Sequence, residues 1–181
     1  MTTPLRFHLM IGPPASGKST VATLLAPMLG AELIATDDIR AQLYGDSAVQ
    51  GLWPEVEQEL HRRIRAAMAA GRPVLVDATH VHRPWRLALT QGMALPLPLQ
   101  WVGWWLRTPR EVCLAWNQQR SRAVLAAVIA AFADALDDPS EQPDRSEGFA
   151  ALVQLDPSTA GDLRARLQRE LEGLVVEEGA P

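Results

Sequence analysis

Short apolar runs alternate along the chain with longer segments whose apolar residues recur every three to four positions. The first run, Leu5 to Ile11, has the length of a buried strand and ends in the Gly-Pro-Pro turn at Gly12 to Pro14. A helical pattern follows from Lys18 to about Leu29. A second run, Glu32 to Ala35, leads into Thr36-Asp37-Asp38, whose side chains suit a helix N-cap, and a short helix then ends near Tyr44-Gly45. After Pro54 a longer helix reaches Ala70, where Gly71 and Pro73 stop it. Pro73 to Val76 reads as a third strand ending at Asp77, and Pro84 opens the next helix at its first position. Leu97 to Leu106 gives a fourth strand, and Pro109 to about Gln119 another helix.

From Arg120 to Leu136 an Arg-Ser-Arg element continues as an alanine-rich helix, and the Asp-, Pro- and Ser-rich stretch from Asp137 to Glu147 reads as loop. Phe149 to Leu155 supplies a fifth strand and Ala160 to Leu171 a closing amphipathic helix. Strands alternating with helices predict an α/β fold of three layers: a parallel sheet of about five strands, covered on both faces, with the first strand flanked by later ones. At 181 residues and 48% hydrophobic, the chain can fill one core but not two. One domain over residues 1–181 is expected, with a short helical lid at about 118–136.

Composition narrows the function. No secretory pattern and no apolar run of membrane-spanning length is visible, so a cytoplasmic protein without membrane contact is expected. The single cysteine, Cys113, fits a reducing compartment. A net charge of −4 argues against capture of long duplex nucleic acid, which needs many phosphate-neutralising cations. Of the 17 Lys plus Arg, only Lys18 is lysine, as though a compact ammonium were required there.

That lysine lies in Gly12-Pro13-Pro14-Ala15-Ser16-Gly17-Lys18-Ser19-Thr20, which fits Gly-x-x-x-x-Gly-Lys-Ser/Thr between a strand and a helix. The chemistry asks for these types. Glycines let backbone N–H groups turn toward phosphate, the helix start adds positive potential, Lys18 reaches the β and γ phosphates, and Ser19 ligates Mg²⁺. ATP with Mg²⁺ is the expected ligand. No Asn-Lys-x-Asp guanine signature is present, and Asp77 is followed by Ala78 rather than a water-polarising acid, so a kinase is favoured over a GTPase or a hydrolytic motor.

Asp37 falls just past the second strand, at the sheet edge where ligands bind, and Arg40 shares its helical face. A carboxylate there can deprotonate an acceptor hydroxyl, and the guanidinium can bind an acceptor anion; alternatively Asp37 and Asp38 cap the helix. Asp77 is read as an Mg²⁺-water or acceptor contact, or as a structural hydrogen-bond partner. Thr79, His80, His82, Arg83 and Arg86 make a polar rim beside it, with Thr79 and Arg83 as candidate acceptor ligands. The two histidines lack a third clustered metal ligand and read as solvated. Arg120 and Arg122 are placed to close over the triphosphate, the alternative being ordinary surface arginines. Arg62, Arg63 and Arg65 read as a solvated helix face, Trp101, Trp104 and Trp105 as core, and Trp53 and Trp85 as rings nearer the substrate edge that could stack a base.

Taken in order, the phosphate-loop sequence, Thr-Asp-Asp-Ile-Arg at Thr36 to Arg40, Val-Asp-Ala-Thr-His at Val76 to His80 and Trp-Asn-Gln-Gln-Arg at Trp116 to Arg120 resemble the kinase module of the polynucleotide 5′-hydroxyl kinase family. The resemblance covers roughly Phe7 to Leu136, extending weakly to Glu147-Gly148-Phe149. It implies that Asp37 is the general base, Arg40 the holder of the acceptor's phosphate and Arg120 the lid arginine on the donor. Two positions depart from that family: His80 stands where it has asparagine, and Val124-Leu125 where it has Val-Pro. The expected acceptor is the 5′-hydroxyl of a short nucleic acid or nucleotide, with no obligate protein partner. A small-metabolite or antibiotic kinase, and a nucleotide-gated binding protein with little turnover, remain the alternatives.

Overall fold

The computed structural model describes residues 4–93 and 99–176, in the order β1 (Leu5–Ile11), α1 (Lys18–Leu29), β2 (Glu32–Ala35), α2 (Thr36–Tyr44), α3 (Trp53–Ala69), β3 (Val74–Asp77), α4 (Arg83–Thr90), β4 (Leu99–Leu106), α5 (Arg110–Gln118), α6 (Ala126–Asp137), a 3-10 turn at Arg145–Glu147, β5 (Phe149–Leu155) and α7 (Leu163–Val176). The expected start of the fourth strand at Leu97 lies outside the described residues. Several boundaries differ from expectation. The closing helix runs over Leu163–Val176 rather than from Ala160 to Leu171, α6 starts six residues after Arg120, α4 begins one residue ahead of Pro84, β3, α3 and α5 shift by about one residue, and the acidic stretch holds the short 3-10 turn. Asp144 forces that turn with a capping box: its carboxylate accepts from Ser146 N, and Glu147 reaches back to Asp144 N.

All four strand pairings are parallel, in the order β2-β3-β1-β4-β5. β1 is therefore flanked by later strands, as expected. Side chains alternate across it. Phe7, Leu9 and Ile11 join Leu60, Ile64, Leu89, Trp105 and Leu136 in one core layer, beneath α3, α4 and α6. Met10 joins Val21, Leu25, Trp104 and Leu167 in the other, beneath α1 and α7. Trp101, Trp104 and Trp105 are all buried, and Trp104 Nε1 donates to His8 Nδ1 at 3.1 Å, which satisfies its polar end.

Register decides what the fold presents. Ala35 pairs with Asp77 and Ile11 with Trp105, so β2, β3, β1 and β4 end level at one edge. The loops leaving that edge carry the phosphate-loop motif, Asp37 and the turn from Ala78 to His82.

Candidate active site

Between Ile11 and Lys18 the chain makes a tight wrap that only certain residues tolerate. Gly17 has φ 91°, and Ala15, a residue with a side chain, is held at φ 60° in the left-handed region, a cost of order 1 kcal/mol or more that the surrounding structure bears. A Cβ on Gly12 would stand 2.8 Å from Ser16 Oγ and 3.3 Å from Leu106 Cβ, so the first glycine is needed for close approach. Ser16 Oγ is buried without a hydrogen-bond partner among the described residues. An orphaned hydroxyl inside a loop that leads into a helix N-terminus fits an anion-binding cradle.

Lys18, at the first position of α1, is buried. Its Nζ donates to Gly12 O at 2.9 Å and Pro13 O at 2.6 Å, so the ammonium lies against the loop's own carbonyls. Burial lowers its pKa to about 8, opposed by Asp77, Cys113 and Asp37 and reinforced by Arg120. Asp77, Asp37 and Arg120 therefore all act on one ammonium, which gathers the three separate sequence predictions into one site.

Asp77, at the end of β3, is also buried. Burial pushes its carboxyl up, Lys18 and a hydrogen bond from the Ser19 hydroxyl pull it down, and Asp37 and Asp38 push it up again. The residues predicted to hold Mg²⁺ are thus in contact with each other, in a field of three carboxylates that a divalent cation would neutralise. The donor set fits a hard cation that keeps most of its waters. Among the described residues there is no group of three or more His, Cys, Asp or Glu placed to hold a metal by themselves.

Asp37 and Asp38 do not cap α2. The helix leaves β2 without a loop, its N-cap is Ala35, no side chain caps it, and both carboxylates fall in the first turn. The Asp37 side chain is 63% exposed and accepts from Arg40 Nη1 at 3.1 Å; Arg40 is only 13% exposed, its Nε also donating to Gln50 O at 3.4 Å. The contact sets an exposed carboxylate against a half-buried guanidinium.

On the other side of the site, Arg120 is exposed at the end of α5. Asn117 shapes the segment that follows. Its Nδ2 donates to Val124 O at 2.8 Å and its Oδ1 accepts from Val124 N at 2.9 Å, so one side chain closes residues 118–123 into a loop. This is why helix does not resume until Ala126. Arg122 Nη1 donates to Ser47 Oγ at 3.2 Å, tying that loop to the α2–α3 connection rather than to the phosphate loop. α6 itself is docked on the core through Ile129 and Leu136.

The polar rim after β3 resolves into fixed and partly free members. Thr79 is half-buried and its carbonyl accepts from Gly12 N at 3.1 Å. His80 is not solvated: it is buried at φ 45°, its Nδ1 lies 3.2 Å from Met10 O, and burial lowers its pKa to about 4. His82 is half-exposed beside Glu141 and meets Trp85 edge-on at 4.5 Å. Arg83 Nη2 donates to Ser146 Oγ at 3.0 Å. Arg86, expected on the rim, is fully buried against Glu147. Sequence reasoning missed both this pair and the Asn117 clasp. For Arg86 the only local signal is a position three residues from buried Leu89, on the inner face of α4.

A family model described as AAA domain matches residues 7–139, nearly three quarters of the chain. The chain belongs to this AAA domain family. The chain is 35% identical over 88 residues to the uncharacterized protein Rv2004c of Mycobacterium tuberculosis (strain ATCC 25618 / H37Rv), a match covering 41% of this chain and 18% of that protein. The chain thus spans less than a fifth of that relative's length. It is similar to the structure of a gluconokinase from Sinorhizobium meliloti 1021, with a TM-score of 0.56 and 20% identity over 98% of this chain and 99% of that one. It is also similar to a chain of the Pnkp1/Rnl/Hen1 RNA repair complex, with a TM-score of 0.66 and 18% identity over 80% of this chain and 48% of the other. These likenesses agree with the strand order in giving the chain a P-loop fold of the kinase type. No helix among the described residues is long and apolar enough to cross a membrane.

Proposed function

We propose that this protein is an ATP-dependent kinase acting on a hydroxyl group, with the 5′-hydroxyl of a short nucleic acid or nucleotide as its acceptor. The observation that carries the proposal is the register that ends β1, β2 and β3 level at one edge, so that the loop holding Lys18, Asp77 and Asp37 leave the sheet together, near enough for both carboxylates to act on the Lys18 ammonium. The loop from Gly12 to Thr20 would hold the triphosphate through its backbone N–H groups, with Ser16 Oγ and Lys18 turned onto phosphate oxygens. Ser19 and Asp77 would hold Mg²⁺, which would supply positive charge against the triphosphate.

Asp37 accepts the proton of the acceptor hydroxyl as its oxygen bonds to the γ-phosphorus, and the bond from that phosphorus to the β–γ bridging oxygen breaks to release ADP. Arg120 supplies positive charge on the donor side as that bond breaks. Arg40, already hydrogen-bonded to Asp37, is a fixed cation one helical turn from the base. It suits an acceptor carrying an anion near its hydroxyl, as a 3′-nucleotide does. Thr79 and Arg83 are the further residues assigned to the acceptor in this reading.

The test is Arg40→Ala. It should raise the acceptor KM at least tenfold for a 3′-phosphorylated nucleoside and much less for the nucleoside without that phosphate. Equal effects on both acceptors would remove the anion-holding role, and with it the argument for a nucleotide over a neutral sugar.

A further inference from the structure

Arg86 and Glu147, both fully buried, form a bidentate pair: Arg86 Nε donates to Glu147 Oε2 at 2.6 Å and Nη2 to Oε1 at 2.8 Å. The other guanidinium N–H groups are used as well. Nη1 donates to His80 O at 3.1 Å and to Val81 O, and Nη2 donates to Glu141 O at 2.8 Å. Glu147 in turn accepts from Asp144 N at 3.2 Å, and its backbone carbonyl accepts from Thr90 Oγ1.

Removing two charges from water is expensive, and well-packed apolar side chains of similar volume are often as stabilising as such a pair or more so. Fold stability alone therefore gives no reason for a guanidinium here. Its donors do offer a fixed geometry: five N–H groups in a rigid plane reach a carboxylate and three carbonyls at once, which neither lysine nor an apolar residue can do.

Two of those carbonyls belong to the turn between β3 and α4. The same turn is fastened on its other side to the end of β1, where Gly12 N donates to Thr79 O at 3.1 Å and His80 Nδ1 lies 3.2 Å from Met10 O. Its backbone is not relaxed, since His80 sits at φ 45°. A turn in an unfavourable conformation, gripped from both sides, keeps a defined position only while both grips hold. Asp77 and Thr79 lie at its start, and Gly12 opens the phosphate loop.

We propose that the buried Arg86–Glu147 pair is a positioning device for the phosphoryl-transfer centre, fixing the turn that follows Asp77 against the phosphate-binding loop. The inference rests on the reading of Gly12 to Thr20 as that loop. Arg86 and Glu147 act through backbone contacts.

The test replaces the pair by Arg86→Met with Glu147→Leu and compares it with the intact protein by three readouts. Thermal unfolding should show a folded chain of comparable stability. Hydrogen exchange at the Gly12 amide should quicken at least tenfold, while exchange at Leu9 inside β1 is unchanged. Transfer should lose ten- to a hundredfold in kcat, with KM for ATP moving less than threefold. Arg86→Lys, which keeps the charge but not the fork, should fail to restore either the rate or the Gly12 protection. A folded double variant with wild-type kcat would overturn the proposal, as would a slowed one whose Gly12 amide stays protected. If the double variant does not fold, Glu147→Gln serves: it keeps the shape but weakens the grip, so it should move Gly12 exchange and kcat together at least threefold, and wild-type values for both would overturn the proposal. Lys18→Ala tests the loop separately. An unaffected Lys18→Ala enzyme would remove the underlying reading, whereas loss there with unaffected pair variants would remove this inference alone.

Discussion

Lys18 rests on the carbonyls of Gly12 and Pro13 and makes no side-chain hydrogen bond to another element among the described residues. Lys18→Ala should consequently leave the fold intact and lower transfer by several orders of magnitude, with circular dichroism and labelled-phosphate transfer as paired measurements. Asp37→Asn keeps the shape and the contact with Arg40 but cannot accept a proton; transfer should fall roughly 10²- to 10⁴-fold with ATP affinity, read by calorimetry, nearly unmoved. His80 carries a pH prediction. Burial sets its pKa at about 4, below the ordinary 6.5, so between those values the unfolded chain binds more protons than the folded one. Its contribution is complete above pH 6.5 and is lost as pH falls toward 4, a loss of up to about 3 kcal/mol. Asparagine tolerates the left-handed backbone of this position, so His80→Asn should show a shallower fall in unfolding free energy over that range, the remainder coming from His8, whose pKa burial lowers to about 3. An unchanged slope would place the acid sensitivity elsewhere. The tight wrap from Gly12 to Lys18 was legible because its shape depends on sequence-local spacing. Arg86 was not, because its burial depends on Glu147, sixty-one residues away.

At the scale of elements, all five strands and the helices between them could be read from apolar runs and their punctuation by Gly and Pro, because a sheet covered on both faces needs unbroken apolar strands. What could not be read is where side chains replace backbone partners. The Asn117 clasp on Val124 delays α6, and the Asp144 capping box makes a 3-10 turn out of an acidic loop. The direct passage from β2 into α2 likewise takes Asp37 and Asp38 out of the capping position. The clasp makes a prediction. If it presents Arg120 to the donor, Asn117→Ala should slow transfer about tenfold and add little to the loss in Arg120→Ala, since the two then act as one unit. Arg120→Lys, with charge kept and the planar fork lost, should also slow transfer under saturating ATP. Additive losses in the Asn117–Arg120 cycle would mean that the loop serves some other purpose.

For the whole molecule, the acidic balance and the site bear on each other. A chain of net charge −4 can hold a short phosphorylated acceptor with the few cations near Asp37 but cannot track a long one, so the rate should saturate at short oligonucleotide length and depend weakly on salt. A steep salt dependence would point to phosphate contacts beyond this site. The kinase-type fold leaves the acceptor to the side chains grafted on it, which is why the sequence could indicate the chemistry more firmly than the substrate. The most direct measurement is transfer of label from γ-labelled ATP across a panel of nucleosides, 3′-nucleotides, short single strands and sugar alcohols, with intact protein and with Asp37→Asn. The account predicts label on the 5′-oxygen of 3′-nucleotides and short strands, lost in Asp37→Asn. Label confined to the sugar alcohols would contradict the nucleic-acid acceptor, and ATP bound tightly with no label on any acceptor would contradict the kinase itself.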